Sequence, residues 1–320
     1  MLQHRKPRWR RFRPRQHAHR HDEYRRRDVR QDKHYTVAPE DPQFVCNTTD
    51  IFDCAEDRVR SMMQRRPEPR DLDTRADMLK KRFERTRQPL DGLAALFAQA
   101  PRASLAQVQM DKHPHGYHDK QARLYELIDF NDTFDLVVLS LSDTHRAEFT
   151  ERAKQAMDRT CKRVGAPCFS DEQWQAIVRG LSCEIAVYLA AKNSGFHTIM
   201  TGRSQDALGV DIQVMDPETH RYINLDIKSP SAFRHRLEQL VKENRITEKE
   251  LLAADERSYT ITTNGRGKNK VRVVLFSVLP DYYGEIEDFR FIDEAAVRER
   301  INQLIRDYGL SDGRFGMISI

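Results

Sequence analysis

Three side chains in a short stretch could do phosphoryl chemistry together: Asp211, Asp226 and Lys228. Hydrolysis of a phosphodiester needs a divalent cation that neutralises the phosphate and lowers the pKa of an attacking water. Magnesium takes hard oxygen ligands, usually a few carboxylates completed by waters. A nearby cationic side chain can orient that water or stabilise the charge that develops. In Gly209-Val210-Asp211-Ile212-Gln213-Val214, the apolar Val210, Ile212 and Val214 alternate with Asp211 and Gln213. From Tyr222 to Lys228, Ile223, Leu225 and Ile227 face one way, and Asn224, Asp226 and Lys228 face the other. Asp216-Pro217-Glu218 reads as a turn, so the two strands should pair as an antiparallel hairpin. If Asp211 lies opposite Asp226, the loop is 217–220. Their Cβ atoms then stand roughly 4.5–5.5 Å apart. Carboxylates that close repel each other and need a cation between them. Lys228 follows Asp226 by two and so shares its face. A further acid, Glu184, follows Ile177 by seven and precedes Tyr188 by four, at the edge of a helical apolar stripe.

The elements around these residues can be read by periodicity. Ser170 is a good helix N-cap, and Asp171 and Glu172 suit the positive end of the dipole. Trp174, Ile177, Val178, Leu181, Ile185, Tyr188 and Leu189 recur at steps of three and four, which predicts a helix to about Asn193. Phe196 to Met200 is a short strand candidate. After the hairpin comes a basic helix over 231–244 carrying Arg234, His235, Arg236 and Lys242. Tyr259–Thr263 and Lys270–Val278 read as a strand pair around Asn264-Gly265-Arg266-Gly267, and a last helix covers 293–307. The order is helix, strand, strand, strand, helix, strand.

A Glu in the first helix, an Asp after Gly-Val in a strand and Asp-Ile-Lys in the next strand resemble the PD-(D/E)XK family, also called restriction-endonuclease-like. The order of elements is similar to that family's αβββαβ core. The resemblance covers about 170–280, and the first half-motif is Val-Asp rather than Pro-Asp. It implies that Asp211 and Asp226 bind Mg²⁺ or Mn²⁺, and that Glu184 binds it directly or through water. It also implies that Lys228 positions or activates the water, with the carbonyl of Ile227 as a further ligand. Asp-x-Lys by itself is a weak signal, since a solvated sheet face carries such ion pairs too. The combination of order, faces and hairpin length is what gives it weight.

The rest of the chain is less specific. Residues 1–35 hold 13 Lys or Arg against 4 Asp or Glu, whereas the other 285 hold 41 against 45. A basic arm of this kind seeks a polyanion and is expected to be disordered. Residues 36–165 read as a mostly helical region, and 166–320 as the nuclease-like domain. Between 51 and 100 the helical pattern comes in pieces broken by Pro67, Pro69 and Pro89. Leu72, Met78 and Phe83 are the expected anchors of the piece from Asp71 to Arg87, with Leu79 a weaker one. Residues 101–120 read as irregular, with Pro101, Pro114 and Gly116, and a helix is expected over 143–163. His113, His115 and His118 with Asp111 and Asp119 lack a helical metal-ligand spacing. The five cysteines form no CxxC pair and read as reduced thiols of a cytoplasmic protein. No apolar run is long enough for a bilayer, and no secretory signal is expected.

The expected architecture is therefore α/β, a restriction-endonuclease-like αβββαβ core preceded by a mostly helical N-terminal region. The expected activity is metal-dependent phosphodiester hydrolysis, with DNA as the partner and Arg203, Arg234, Arg236 and Lys242 contacting it. Arg203, Ser204 and Asp206 precede the Asp211 strand and could also support the site, as could Gln213 and Asn224. A non-cleaving nucleic-acid-binding module on the same fold and a protein-interaction scaffold are the rivals. A homodimer, strand type and sequence preference are left open.

Overall fold

The structure, a computed structural model, describes residues 44, 46, 48–65, 69–112, 125–201, 209–264, 270–311 and 313–316. The basic arm, His113 to Asp119, Arg203 to Asp206 and the 265–268 turn lie outside the described residues. The chain divides into two compact units, residues 1–133 with 151–169, and residues 134–150 with 170–320. Among the described residues no helix is long and apolar enough to cross a membrane.

The first unit is helical. It holds α1 (Ile51–Arg65), α2 (Pro69–Thr86) and α3 (Pro89–Asp111), and parts of α4 (Tyr125–Ser140) and α5 (Asp143–Val164). Leu72, Ala76, Leu79 and Phe83 are the buried face of α2 at steps of four, three and four, while Met78 is 49% exposed. The anchor is thus Leu79 rather than Met78, because only Leu79 keeps the phase of Leu72 and Phe83. The expected irregular stretch after Pro101 is also corrected: α3 runs through this proline to Asp111. An internal proline costs a helix about 3 kcal/mol. Here nearly every position from Asp91 to Ala106 is buried, and that packing outweighs the local penalty. A third correction concerns the thiols. Cys46 and Cys54 are joined in a disulfide, so Cys161, Cys168 and Cys183 are the free cysteines. The missing CxxC spacing gave no hint of this pair, which the turn into α1 brings together.

The second unit is mixed α/β. After α6 (Asp171–Asn193) come β1 (His197–Met200), β2 (Ile212–Met215), β3 (Tyr222–Lys228), α7 (Pro230–Lys242), α8 (Glu248–Leu252), β4 (Ser258–Asn264) and β5 (Lys270–Ser277). Then follow α9 (Pro280–Tyr283), the small pair β6 (Ile286–Glu287) and β7 (Arg290–Phe291), and α10 (Ala295–Tyr308). The main sheet has the order β1-β2-β3-β5-β4. Neighbours are antiparallel except β3 and β5, which run parallel. A parallel pair needs a crossover, and the segment carrying α7, α8 and β4 supplies it. The predicted elements are present, with α8, α9 and the β6–β7 pair as additions.

Two apolar layers hold the sheet. Cys183, Ala186, Val187, Ala190 and Ala191 of α6 pack with Ile212, Val214, Ile223, Leu225 and Ile227. Val297, Ile301, Leu304 and Ile305 of α10 join the same cluster. Phe233, Leu237 and Leu240 of α7 pack with Ile261, Val273 and Leu275 on the opposite face. Val210 belongs to this second cluster, not with Ile212 and Val214 as its alternation predicts. The reason is local: β2 starts only at Ile212 and the Asp211 amide bonds the carbonyl of Leu225, the partner of Ile212, so alternation breaks at Asp211.

Candidate active site

The hairpin brings the predicted residues together. Ile212 pairs with Leu225 and Gln213 with Asn224, and Asp211 stands just before the first of these pairs. The Asp211 amide donates at 2.8 Å to the carbonyl of Leu225, the partner of Ile212, so two residues oppose one here as in a β-bulge. Asp216 and Arg221 close the loop with a 2.9 Å backbone bond, leaving residues 217–220 as its tip. Ser170 starts α6 with a capping box, accepting from the Gln173 amide while its own amide donates to Gln173. That fixes the helix phase, and Glu184 falls half-buried at the edge of the sheet-facing stripe.

Lys228 is the centre of the arrangement. Its Nζ stands 3.3 Å from Asp211 Oδ2, forms an ion pair with Asp226 Oδ1, and donates to the Ile227 carbonyl at 2.9 Å. Asp211 Oδ2 also accepts from the Ile227 amide at 2.7 Å. The side chains of Asp211 and Asp226 are only 7% and 6% exposed, so water does little for their charges. Burial disfavours the charge on Lys228. The charges of Asp211, then Asp226 and Glu184, overcome this and hold its pKa above the usual lysine value. Glu184 also acts on its neighbour: burial first, and then this carboxylate, push the Cys183 thiol up to about 11. That thiol stays protonated and packs as a small apolar group.

Two further features shape the centre. Asp226 Oδ1 is buried and receives no hydrogen bond of proper geometry among the described residues. Its neighbour Gly209 leaves room for it: a Cβ there would lie 3.3 Å from Asp226 Oδ2. Gly209 was visible in the sequence only as the residue before Val-Asp, and its positive φ is the signal that gives it a role. Gln213 and Asn224, predicted neighbours of the site, instead bond each other at 2.7 Å. Asn224 also donates to the Arg272 carbonyl, and Gln213 accepts from the Gly316 amide. They knit strands rather than serve the carboxylates.

On α7, Arg234 and Lys242 are exposed, whereas Arg236 is half-buried and turned along its own helix to Gln239 and Glu243. Arg203 lies outside the described residues.

The donor set suits a hard divalent cation: two buried carboxylates, the Glu184 carboxylate and the Ile227 carbonyl, all oxygen. Among the described residues no three His, Cys, Asp or Glu side chains stand in metal-holding geometry. The ammonium of Lys228 occupies the space between Asp211 and Asp226. Compared with protein-family models, curated proteins and solved structures, the chain finds no match.

Proposed function

We propose that this protein is a metal-dependent nuclease of the PD-(D/E)XK kind, hydrolysing phosphodiester bonds in DNA with Mg²⁺ or Mn²⁺. The observation that carries the reading is the meeting of Asp211, Asp226 and the Ile227 carbonyl at the Lys228 ammonium. The order α6-β1-β2-β3-α7-β5, with Glu184 acting on Lys228 from α6, supports the restriction-endonuclease-like core. The bound cation would be held by Asp211, Asp226, Glu184 and the Ile227 carbonyl, and would supply charge neutralisation and a more acidic water.

The chain's own groups have distinct tasks. Asp211 and Asp226 supply the negative charge that gathers cations at this end of the hairpin. In the metal-free centre the charges of Asp211, Asp226 and Glu184 favour the ammonium form of Lys228. Beside the bound cation it would stabilise charge on phosphate oxygens and orient the attacking water. Gly209 keeps a side chain away from Asp226.

The test is cleavage of plasmid, linear and single-stranded DNA in Mg²⁺ or Mn²⁺, with Asp226→Ala and Lys228→Ala in parallel. Metal-dependent cutting by the parent protein that falls at least about a thousandfold in both variants supports the reading. Binding of DNA without cutting in either metal favours the non-cleaving module.

A further inference from the structure

The residues that follow Lys228 have no part in the centre described above. Ser229 is the N-cap of α7 but its side chain makes no capping bond, and Pro230 at the first helical position has no N–H. The Ser229 hydroxyl lies 3.5 Å from that of Ser231. The Phe233 amide donates to the Ser229 carbonyl, while the amides of Ser231 and Ala232 have no partner among the described residues. No acidic residue stands in the first turn. Two open N–H groups at the positive end of a 13-residue helix are an anion-binding arrangement in general, though not by themselves a site.

A second, independent observation lies on the neighbouring strand. Ser277 of β5 pairs in register with Lys228 across the parallel ladder, which continues regularly through the bond from the Val278 amide to the Lys228 carbonyl. Directly paired residues of a parallel ladder share a face. Val273 and Leu275 point into the cluster under α7, so Ser277, two residues on, points to that face where α7 begins. Its side chain is 0% exposed, and its hydroxyl has no hydrogen-bond partner among the described residues. A buried hydroxyl left in this way calls for a ligand or partner. Open crevices beyond the C-terminal ends of parallel strands are where α/β sheets bind ligands.

We propose that the N-terminus of α7, with the amides of Ser231 and Ala232 and the hydroxyls of Ser229, Ser231 and Ser277, is a phosphate subsite beside Lys228. It rests on the nuclease reading for the source of its ligand, a backbone phosphate next to the one attacked. The subsite fixes the register of the strand, so that the attacked phosphate faces Asp226 and Lys228. The amides carry no sequence information, so the contact is the same for every base.

The test uses the ¹⁵N-labelled full chain, titrated with inorganic phosphate in metal-free buffer against chloride at matched ionic strength. The expected result is that the Ser231 and Ala232 amide signals shift and saturate with phosphate and not with chloride. Ser229→Asp gives the helix a carboxylate cap of its own. It should weaken phosphate binding by about tenfold while leaving Tm equal or higher. Ser277→Ala should weaken it by about threefold. Displacement of phosphate by a dinucleotide assigns the subsite to a backbone phosphate, and displacement by a 5′-mononucleotide alone to a terminal one. Amide signals that respond equally to chloride, or Ser229→Asp binding phosphate as the parent does, would overturn the proposal even if the protein cuts DNA. Saturating shifts in a protein that cuts nothing would keep the subsite and remove the nuclease reading.

Discussion

Both units bury carboxylates, and they partner them differently. In the helical unit, Asp91 meets Arg58 and Arg82 and also accepts from Thr86, while Glu56 meets Arg159 and Arg163. Each buried acid there has two cations. In the α/β unit, Asp211 and Asp226 share the ammonium of Lys228, and the charge of Glu184 bears on it as well. The first ratio completes a structural network that needs nothing more. The second gathers two buried carboxylates on one ammonium in a place with little water, an oxygen set of the kind a divalent cation takes.

The largest expected effect on folding is in the helical unit. Asp91→Ala leaves the buried Arg58 guanidinium without its acid and should destabilise the protein by about 3–5 kcal/mol in urea unfolding. Divalent-cation binding by the folded fraction should be unchanged. Equal loss of both would break the division between structural and functional acids.

Gly209→Ala comes next. It places a side chain at φ +74° and a Cβ 3.3 Å from Asp226 Oδ2. A loss of about 1–3 kcal/mol by thermal denaturation is expected, together with weaker cation binding. Full stability with unaltered binding would show that this glycine does not shape the centre.

Asp73 is the exception within the helical unit. Burial, offset by Arg102 and reinforced by Asp77 and Glu126, pushes its pKa up to about 6. The folded chain thus keeps a proton that the unfolded chain releases between about pH 4 and 6. Stability should fall as pH rises through that window and stay lowered above it. Asp73→Asn should be more stable than the parent by about 1–3 kcal/mol at pH 7, with the difference closing below about pH 4. Parallel pH profiles for the two proteins would contradict this. The smallest effect is Ser170→Ala, which opens the capping box of α6 and should cost about 1 kcal/mol.

The parts of this fold that were legible in the sequence are those set by short-range rules. Ser170 with Asp171 and Glu172 marks the start of α6, and the α6 range ends at the predicted Asn193. Alternation and a four-residue loop set the β2–β3 register, and Asp211, just before it, reaches the Ile227 amide and Lys228 through its side chain. What was hidden depends on tertiary packing. Pro101 reads as a break, and burial of α3 overrides it. Met78 and Leu79 are adjacent apolar residues, so composition cannot choose between them. Val210 leaves its face because the backbone at Asp211 is offset by one residue against β3. The pairing of Gln213 with Asn224 and the buried hydroxyl of Ser277 depend on cross-strand neighbours that a linear reading cannot supply.

The most direct test of the central claim is a calorimetric Mn²⁺ titration of the parent protein, Asp226→Asn and Lys228→Met. The account predicts one ion bound by the parent and at least about tenfold weaker binding by Asp226→Asn. It predicts tighter binding by Lys228→Met, because the ammonium that stands between the two carboxylates is gone. Mn²⁺ binding that is absent from all three proteins, or equal in all three, would contradict it.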